Sequence, residues 1–332
     1  MKYPFYYGNG TKGKETVVLP STIRRSQLQR PDKYLADPGL VDACNVALLL
    51  GQPLLLTGEP GTGKTQFAFS LAWELGLNEP LKFETKSTSN SKELFYTYDA
   101  LRRFHDIQNE IRLNSALPYI TFHALGTAIL RTCTKQEIAP YISEAFQHEE
   151  PSRSIVLIDE IDKAPRDFSN DILNELEQMY FRIPELNNVK IEANLKLQPI
   201  VICTSNSEKD LPDAFLRRCV YYHIPFPTQE RLREIILSRI EAYSTHSHSF
   251  IDDALELFYL LRAPTSGLRK KPATSELLGW LITLNQLAAS QTLSFAQSPD
   301  LILRSLSNLI KTAEDQWRAT EIVKLWISKQ NN

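Results

Sequence analysis

The run Pro53-Leu54-Leu55-Leu56-Thr57 followed by Gly58-Glu59-Pro60-Gly61-Thr62-Gly63-Lys64-Thr65 constrains this chain more than any other segment. Apolar residues without alternation read as a strand buried on both faces, and Lys64 to Leu75, stopped by Gly76, reads as a helix. Between them lies the pattern G-x-x-x-x-G-K-[ST], in the strand-to-helix context that gives the pattern its meaning. Glycines there let backbone N–H groups turn inward on phosphates, and the helix N-terminus adds positive potential. The residues expected to cradle a nucleotide are therefore Glu59, Pro60, Gly61, Thr62, Gly63, Lys64 and Thr65, with Lys64 reaching the β- and γ-phosphates and Thr65 offering its hydroxyl to Mg²⁺.

Two more buried strands end in polar residues. Ile155-Val156-Leu157-Ile158 delivers Asp159 and Glu160, and Ile200-Val201-Ile202-Cys203 delivers Thr204-Ser205-Asn206. Asp159 is expected to hold Mg²⁺, Glu160 to polarise the attacking water as general base, and Asn206 to hydrogen-bond the γ-phosphate or that water. Asp162 is expected to cap the helix that follows. A weaker strand lies at 81–85. Strands alternating with helices predict an α/β fold with a parallel, doubly wound sheet, and ligands on such sheets bind past the carboxyl ends of strands, where Gly58, Asp159 and Asn206 all stand.

After Pro225-Phe226-Pro227 only helical periodicity remains. Leu232, Ile235, Ile236 and Ile240 form one apolar stripe, Leu255, Phe258 and Leu261 a second, and Leu277, Leu281 and Leu284 a third. Ser298-Pro299-Asp300 supplies a helix start ahead of Ile302, Leu306 and Leu309. The expected organisation is an N-terminal arm over 1–33, a large nucleotide-binding domain over 34–227 and a helical domain over 228–332.

A net charge of −2 gives no footprint for wrapping duplex nucleic acid, whose affinity rests on clustered Lys and Arg. Cys44, Cys133, Cys203 and Cys219 lack CxxC spacing, which fits reduced thiols in a cytoplasmic protein better than disulfides or a zinc site. No export signal or membrane span is visible in the sequence.

Taken in order, these elements resemble the AAA+ superfamily of P-loop NTPases, and four longer passages resemble its MoxR-like branch. They are Tyr34 to Leu40, Lys82 to Arg103 (KFETKSTSNSKELFYTYDALRR), Phe181 to Glu185 ahead of Ser205-Asn206, and Leu211 to Cys219 (LPDAFLRRC). The resemblance implies a three-layer αβα parallel sheet followed by a small all-α lid domain, ATP with Mg²⁺ as cofactor, and a homo-oligomeric ring, expected to be a hexamer. ATP would sit at subunit boundaries, with an arginine finger from the neighbour in Phe215-Leu216-Arg217-Arg218; Arg218 is preferred, with Arg217 as its deputy or an intersubunit contact. Tyr34 and Leu35 are placed by the resemblance against adenine, a core role being the other reading. The family's second sensor is an arginine at the start of a lid helix, whereas Lys271-Pro272-Ala273-Thr274-Ser275-Glu276 has none there, which leaves Arg269, Lys270 or Lys271 as the nearby substitutes.

Leu94-Phe95-Tyr96-Thr97-Tyr98 falls where MoxR-like proteins carry an insertion, so it is expected either to project toward a client or to form an aromatic core strand. MoxR-like proteins act with proteins carrying a von Willebrand factor A domain, which implies such a partner here and a chaperone-like, partner-remodelling ATPase. The competing expectation is a nucleotide-gated assembly or signalling switch with slow hydrolysis, as in bacterial defence systems.

Overall fold

The computed structural model describes residues 6, 30–109, 115–143, 146–148, 150–207, 211–240, 248–287 and 299–330. Most of the expected N-terminal arm, and Ser298, lie outside the described residues. The described residues form two compact units: one within Ala36–Gly58 and Gly63–Pro225, the other within Met1–Leu35, Glu59–Thr62 and Phe226–Asn332.

The described residues of the first unit contain the strands β1 (Leu54–Thr57), β2 (Leu81–Glu84), β3 (Tyr96–Tyr98), β4 (Ile120–Phe122), β5 (Ile155–Asp159), β6 (Tyr180–Ile183), β7 (Val189–Glu192), β8 (Ile200–Thr204) and β9 (Val220–His223). Five of them form one parallel sheet in the order β2-β5-β8-β1-β9, while β3-β4 and β6-β7 are antiparallel pairs. Flanking helices are α1 (Pro38–Leu50), α2 (Lys64–Glu74), α3 (Ala100–Gln108), α4 (Ala124–Thr132), α5 (Lys135–Ile138), α6 (Arg166–Asp171), α7 (Leu173–Gln178) and α8 (Asp213–Leu216). This is the parallel sheet flanked by helices that the buried strands predict.

Local chemistry accounts for the boundaries. Helix α1 starts because the Asp37 carboxylate accepts from the Gly39 N–H and Pro38 supplies a preset φ, and it ends where Gly51 turns left-handed at φ 64°. Every residue of β1 and β5 is buried, which is why both read as unbroken apolar runs. Leu55, Val156, Ile158 and Val201 share a core with Leu125 and Ile129 of α4.

Phe95 and Tyr96 do not project. They are 5% and 1% exposed, and Phe95 stacks on Phe181 with centroids 5.5 Å apart. The aromatic pair is more favourable buried, each ring hiding roughly 150–250 Å², so the projecting reading of Leu94–Tyr98 is overturned for these side chains. Exposed apolar side chains stand one element later, at Leu101, Phe104 and Ile107 of α3.

The Phe95 carbonyl accepts from the His123 N–H at 2.8 Å, and a Cβ placed on Gly126 would stand 2.1 Å from that same oxygen. Backbone cannot swing aside as a long side chain can. Gly126→Ala is therefore expected to cost about 3 kcal/mol, read as an earlier midpoint in urea unfolding. An unchanged midpoint would show that this packing carries no stability.

In the second unit, a short turn at Pro31–Lys33 accompanies helices α9 (Gln229–Arg239), α10 (His248–Arg262), α11 (Thr274–Leu287), α12 (Pro299–Ser305) and α13 (Ala313–Gln330). The three predicted stripes and Ile302, Leu306 and Leu309 meet in one core, joined by Ala319, Val323 and Trp326 of α13. Trp280 is fully buried, and its indole N–H donates to Ser305 Oγ at 2.8 Å, so its polar atom is satisfied. Among the described residues no helix is long and apolar enough to cross a membrane.

Candidate nucleotide site

The carboxyl ends of β1, β5 and β8 lie side by side in the sheet, so the three polar segments that leave them converge. From β1 the chain enters residues 58–65, where Gly58, Gly61 and Gly63 hold φ of 143°, 83° and 94°. L-residues with a Cβ rarely take these values, and that is the physical reason for glycine here. Gly63 is the residue before α2, so the helix opens directly on the loop.

Lys64 is buried, and its ammonium donates to the Gly58 carbonyl at 2.7 Å and to Asn206 Oδ1 at 3.1 Å. Thr65 Oγ1 donates to Asp159 Oδ1 at 2.9 Å. The loop residues are thus hydrogen-bonded to both other motifs.

Asp159 is 8% exposed. Its Oδ1 also accepts from Thr204 Oγ1 at 2.7 Å, and its Oδ2 faces Lys82 Nζ at 2.9 Å. Burial alone would raise its pKa, but the hydrogen bonds from Thr204, Lys82 and Thr65 outweigh that and hold the carboxyl below its ordinary value. Lys82 responds in the opposite sense: burial works against its charge, while Glu84 and Asp159 raise its pKa. An ionised carboxylate beside a threonine hydroxyl is an all-oxygen donor set of the kind Mg²⁺ takes, so the residues present fit that ion.

Glu160 sits at φ 57°, a left-handed conformation uncommon for a side chain with a Cβ. Its neighbours hold it there: the Glu160 N–H donates to Thr204 Oγ1 at 2.9 Å, and the Thr85 hydroxyl donates to the Asp159 carbonyl at 2.9 Å and to the Glu160 carbonyl. The Glu160 carboxylate, 43% exposed, is ion-paired with Lys163. Asp162 does not act as the expected helix cap; its carboxylate accepts from the Asn206 N–H at 3.2 Å and fixes the backbone beside that amide.

Of the remaining predicted residues, Glu59, Pro60 and Gly61 are exposed, and Thr62 is half-buried with its hydroxyl on the Glu59 carbonyl. Arg217 and Arg218 follow α8 and are exposed. Arg218 pairs with Glu177 at 3.1 Å and donates to the Ala214 carbonyl at 3.1 Å. Tyr34 and Leu35 are half-buried in the helical unit; burial lowers the pKa of Arg239 there, and Tyr34 opposes that shift.

Sequence reasoning missed Lys82, Thr85, Thr204 and Lys163. Lys82 carried the clearest available signal, a lone cation inside the short strand Leu81-Lys82-Phe83-Glu84 that ends in register with Asp159.

The family model for the ATPase family associated with various cellular activities (AAA) matches residues 54–228, the span that holds all three motifs. Among solved structures, a point variant of Thermotoga maritima RuvB is similar at 15% identity and a TM-score of 0.47, covering 87% of this chain and 75% of that one. No curated protein matches the chain. With the loop, the acidic strand end and the asparagine joined at one sheet edge and more than half of the chain matched by the family, this chain belongs to the AAA family of ATPases.

Proposed function

We propose that this chain binds ATP with Mg²⁺ in residues 58–65 and hydrolyses it within a homo-oligomeric ring, using the cycle to remodel or activate a partner protein in the manner of the MoxR-like branch. The observation that carries the reading is the pair of hydrogen bonds Thr65–Asp159 and Lys64–Asn206, which link the phosphate loop to both other strand ends. Lys64 neutralises phosphate charge, and the loop amides orient the triphosphate. Mg²⁺, when bound through Thr65 and Asp159, would supply charge neutralisation on the phosphates. Glu160 takes a proton from the attacking water, Asn206 orients that water or the γ-phosphate, and Arg218 stabilises the transferring group in a neighbour's site. Tyr34 and Leu35 are assigned to the adenine, and a partner with a von Willebrand factor A domain follows from the MoxR-like passages alone.

A nucleotide-gated switch with slow hydrolysis is the second reading. Its support is the Lys163 ammonium on the Glu160 carboxylate, which engages the group that would meet the attacking water, together with a sequence that places no arginine at the start of α11.

Phosphate release by the purified chain tests the shared core of both readings. Release from ATP is expected with Mg²⁺ and is expected to stop when EDTA removes the ion. ATP left intact at every protein concentration, with Mg²⁺ present, would overturn the assignment as an ATPase.

A further inference from the structure

The helical unit contains Glu59–Thr62 of the phosphate loop as well as α10 and α11. At the last residue of α10, Arg262 is 9% exposed, and its guanidinium carbon lies 3.3 Å from the centroid of the Phe226 ring. One amino group donates to the Pro272 carbonyl at 2.6 Å and the other to Glu59 Oε2 at 2.7 Å. A planar cation held by a ring face, a carbonyl and a carboxylate has little freedom left. Gly61 is seated against the same segment, since a Cβ added there would lie 2.8 Å from Ala273 Cβ.

Glu59 is a paradox for a loop that must attract a polyanion. Its carboxylate stands one residue past Gly58, where like charge repels phosphate. The Arg262 guanidinium cancels that charge at hydrogen-bonding distance and fixes the carboxylate's direction. We infer that Arg262 is a positioning residue for nucleotide binding, a clasp that neutralises Glu59 and ties the first turn of the phosphate loop to the end of α10. The inference rests on the reading of residues 58–65 as the triphosphate site.

Counting charge gives the variants opposite signs. Arg262→Gln takes the guanidinium away from Glu59 and makes the loop more negative by one charge. Glu59→Gln removes the carboxylate and makes it more positive by one, and the double variant returns to the wild-type sum. Loss of the Arg262 packing on Phe226 and of its bond to Pro272 is common to Arg262→Gln and the double variant. Only the charge distinguishes them.

The test is the affinity of the full-length protein for ATP with Mg²⁺, measured by calorimetry for wild type and the three variants at low and high salt. Arg262→Gln is expected to weaken binding by about tenfold, the double variant to recover to within about threefold of wild type, and both shifts to shrink as salt screens the charges. Equal weakening in Arg262→Gln and the double variant would reduce Arg262 to packing and overturn the clasp, as would wild-type affinity in Arg262→Gln. Should Arg262→Gln fail to fold, Glu59→Gln decides: tightening by at least about twofold supports the clasp, and unchanged or weaker binding overturns it. The failure of the site itself looks different, because wild type would then bind no ATP.

Discussion

Arg218→Ala is expected to bind ATP within about threefold of wild type, yet to hydrolyse it about 10³-fold more slowly in the assembled protein. The cause lies in where Arg218 is held. Its guanidinium is engaged by Glu177 and the Ala214 carbonyl at the exposed end of α8, whereas Lys64, Thr65, Asp159 and Asn206 form their own hydrogen-bonded group. Removing it therefore takes nothing from the phosphate cradle of its own chain. A guanidinium that stabilises transition-state charge across a subunit boundary acts on turnover and not on binding.

Mixing separates that role from a local one. An Arg218→Ala subunit keeps Glu160, and a Glu160→Gln subunit keeps Arg218, so a ring containing both holds some complete composite sites. Phosphate release is expected to return on mixing two preparations that are each inactive. Mixed rings as inactive as their parents would show that Arg218 acts within its own chain, and full activity of Arg218→Ala alone would move the finger to Arg217.

How legible this architecture is from sequence depends on how each residue is buried. Strands β1, β5 and β8 announce themselves because both faces are covered, so the apolar run has no competing interpretation. The phosphate loop is legible because positive φ at Gly58, Gly61 and Gly63 narrows the choice of residue to one. The helical unit is readable for the same reason in a different period: Leu232, Leu255, Leu277 and Ile302 fall on stripes that all reach one core.

Elsewhere local pattern carries too little information. Phe95 and Tyr96 look alike in a projecting loop and in a core; only the β3–β4 pairing and the ring of Phe181 decide for the core. Lys82 looks like a solvated charge at the sheet edge until β2 is seen in parallel register with β5, which puts its ammonium on Asp159. Arg262 reads as the ordinary basic residue of a helix's last turn, and its partner Glu59 lies 203 positions away in sequence. Long-range ion pairs of this kind leave no periodic trace.

Lys64→Ala has the most direct consequence of all. Lys64 is 7% exposed, its ammonium lies 2.7 Å from the Gly58 carbonyl and 3.1 Å from Asn206 Oδ1, and it brings a full positive charge into residues 58–65, whose other ionisable side chain, Glu59, is paired with Arg262. Alanine removes that charge and leaves two acceptors beside the space where an anion is to be bound. Charge-assisted hydrogen bonds contribute about 1.5–3 kcal/mol each, so two contacts to a triphosphate correspond to a loss of at least about 100-fold in affinity. Calorimetric titration of ATP with Mg²⁺ into the wild-type chain and into Lys64→Ala, with circular dichroism confirming that both are folded, is the decisive measurement. The account predicts saturable binding by wild type and none measurable for the variant at the same concentrations; matching isotherms for two folded proteins would contradict it.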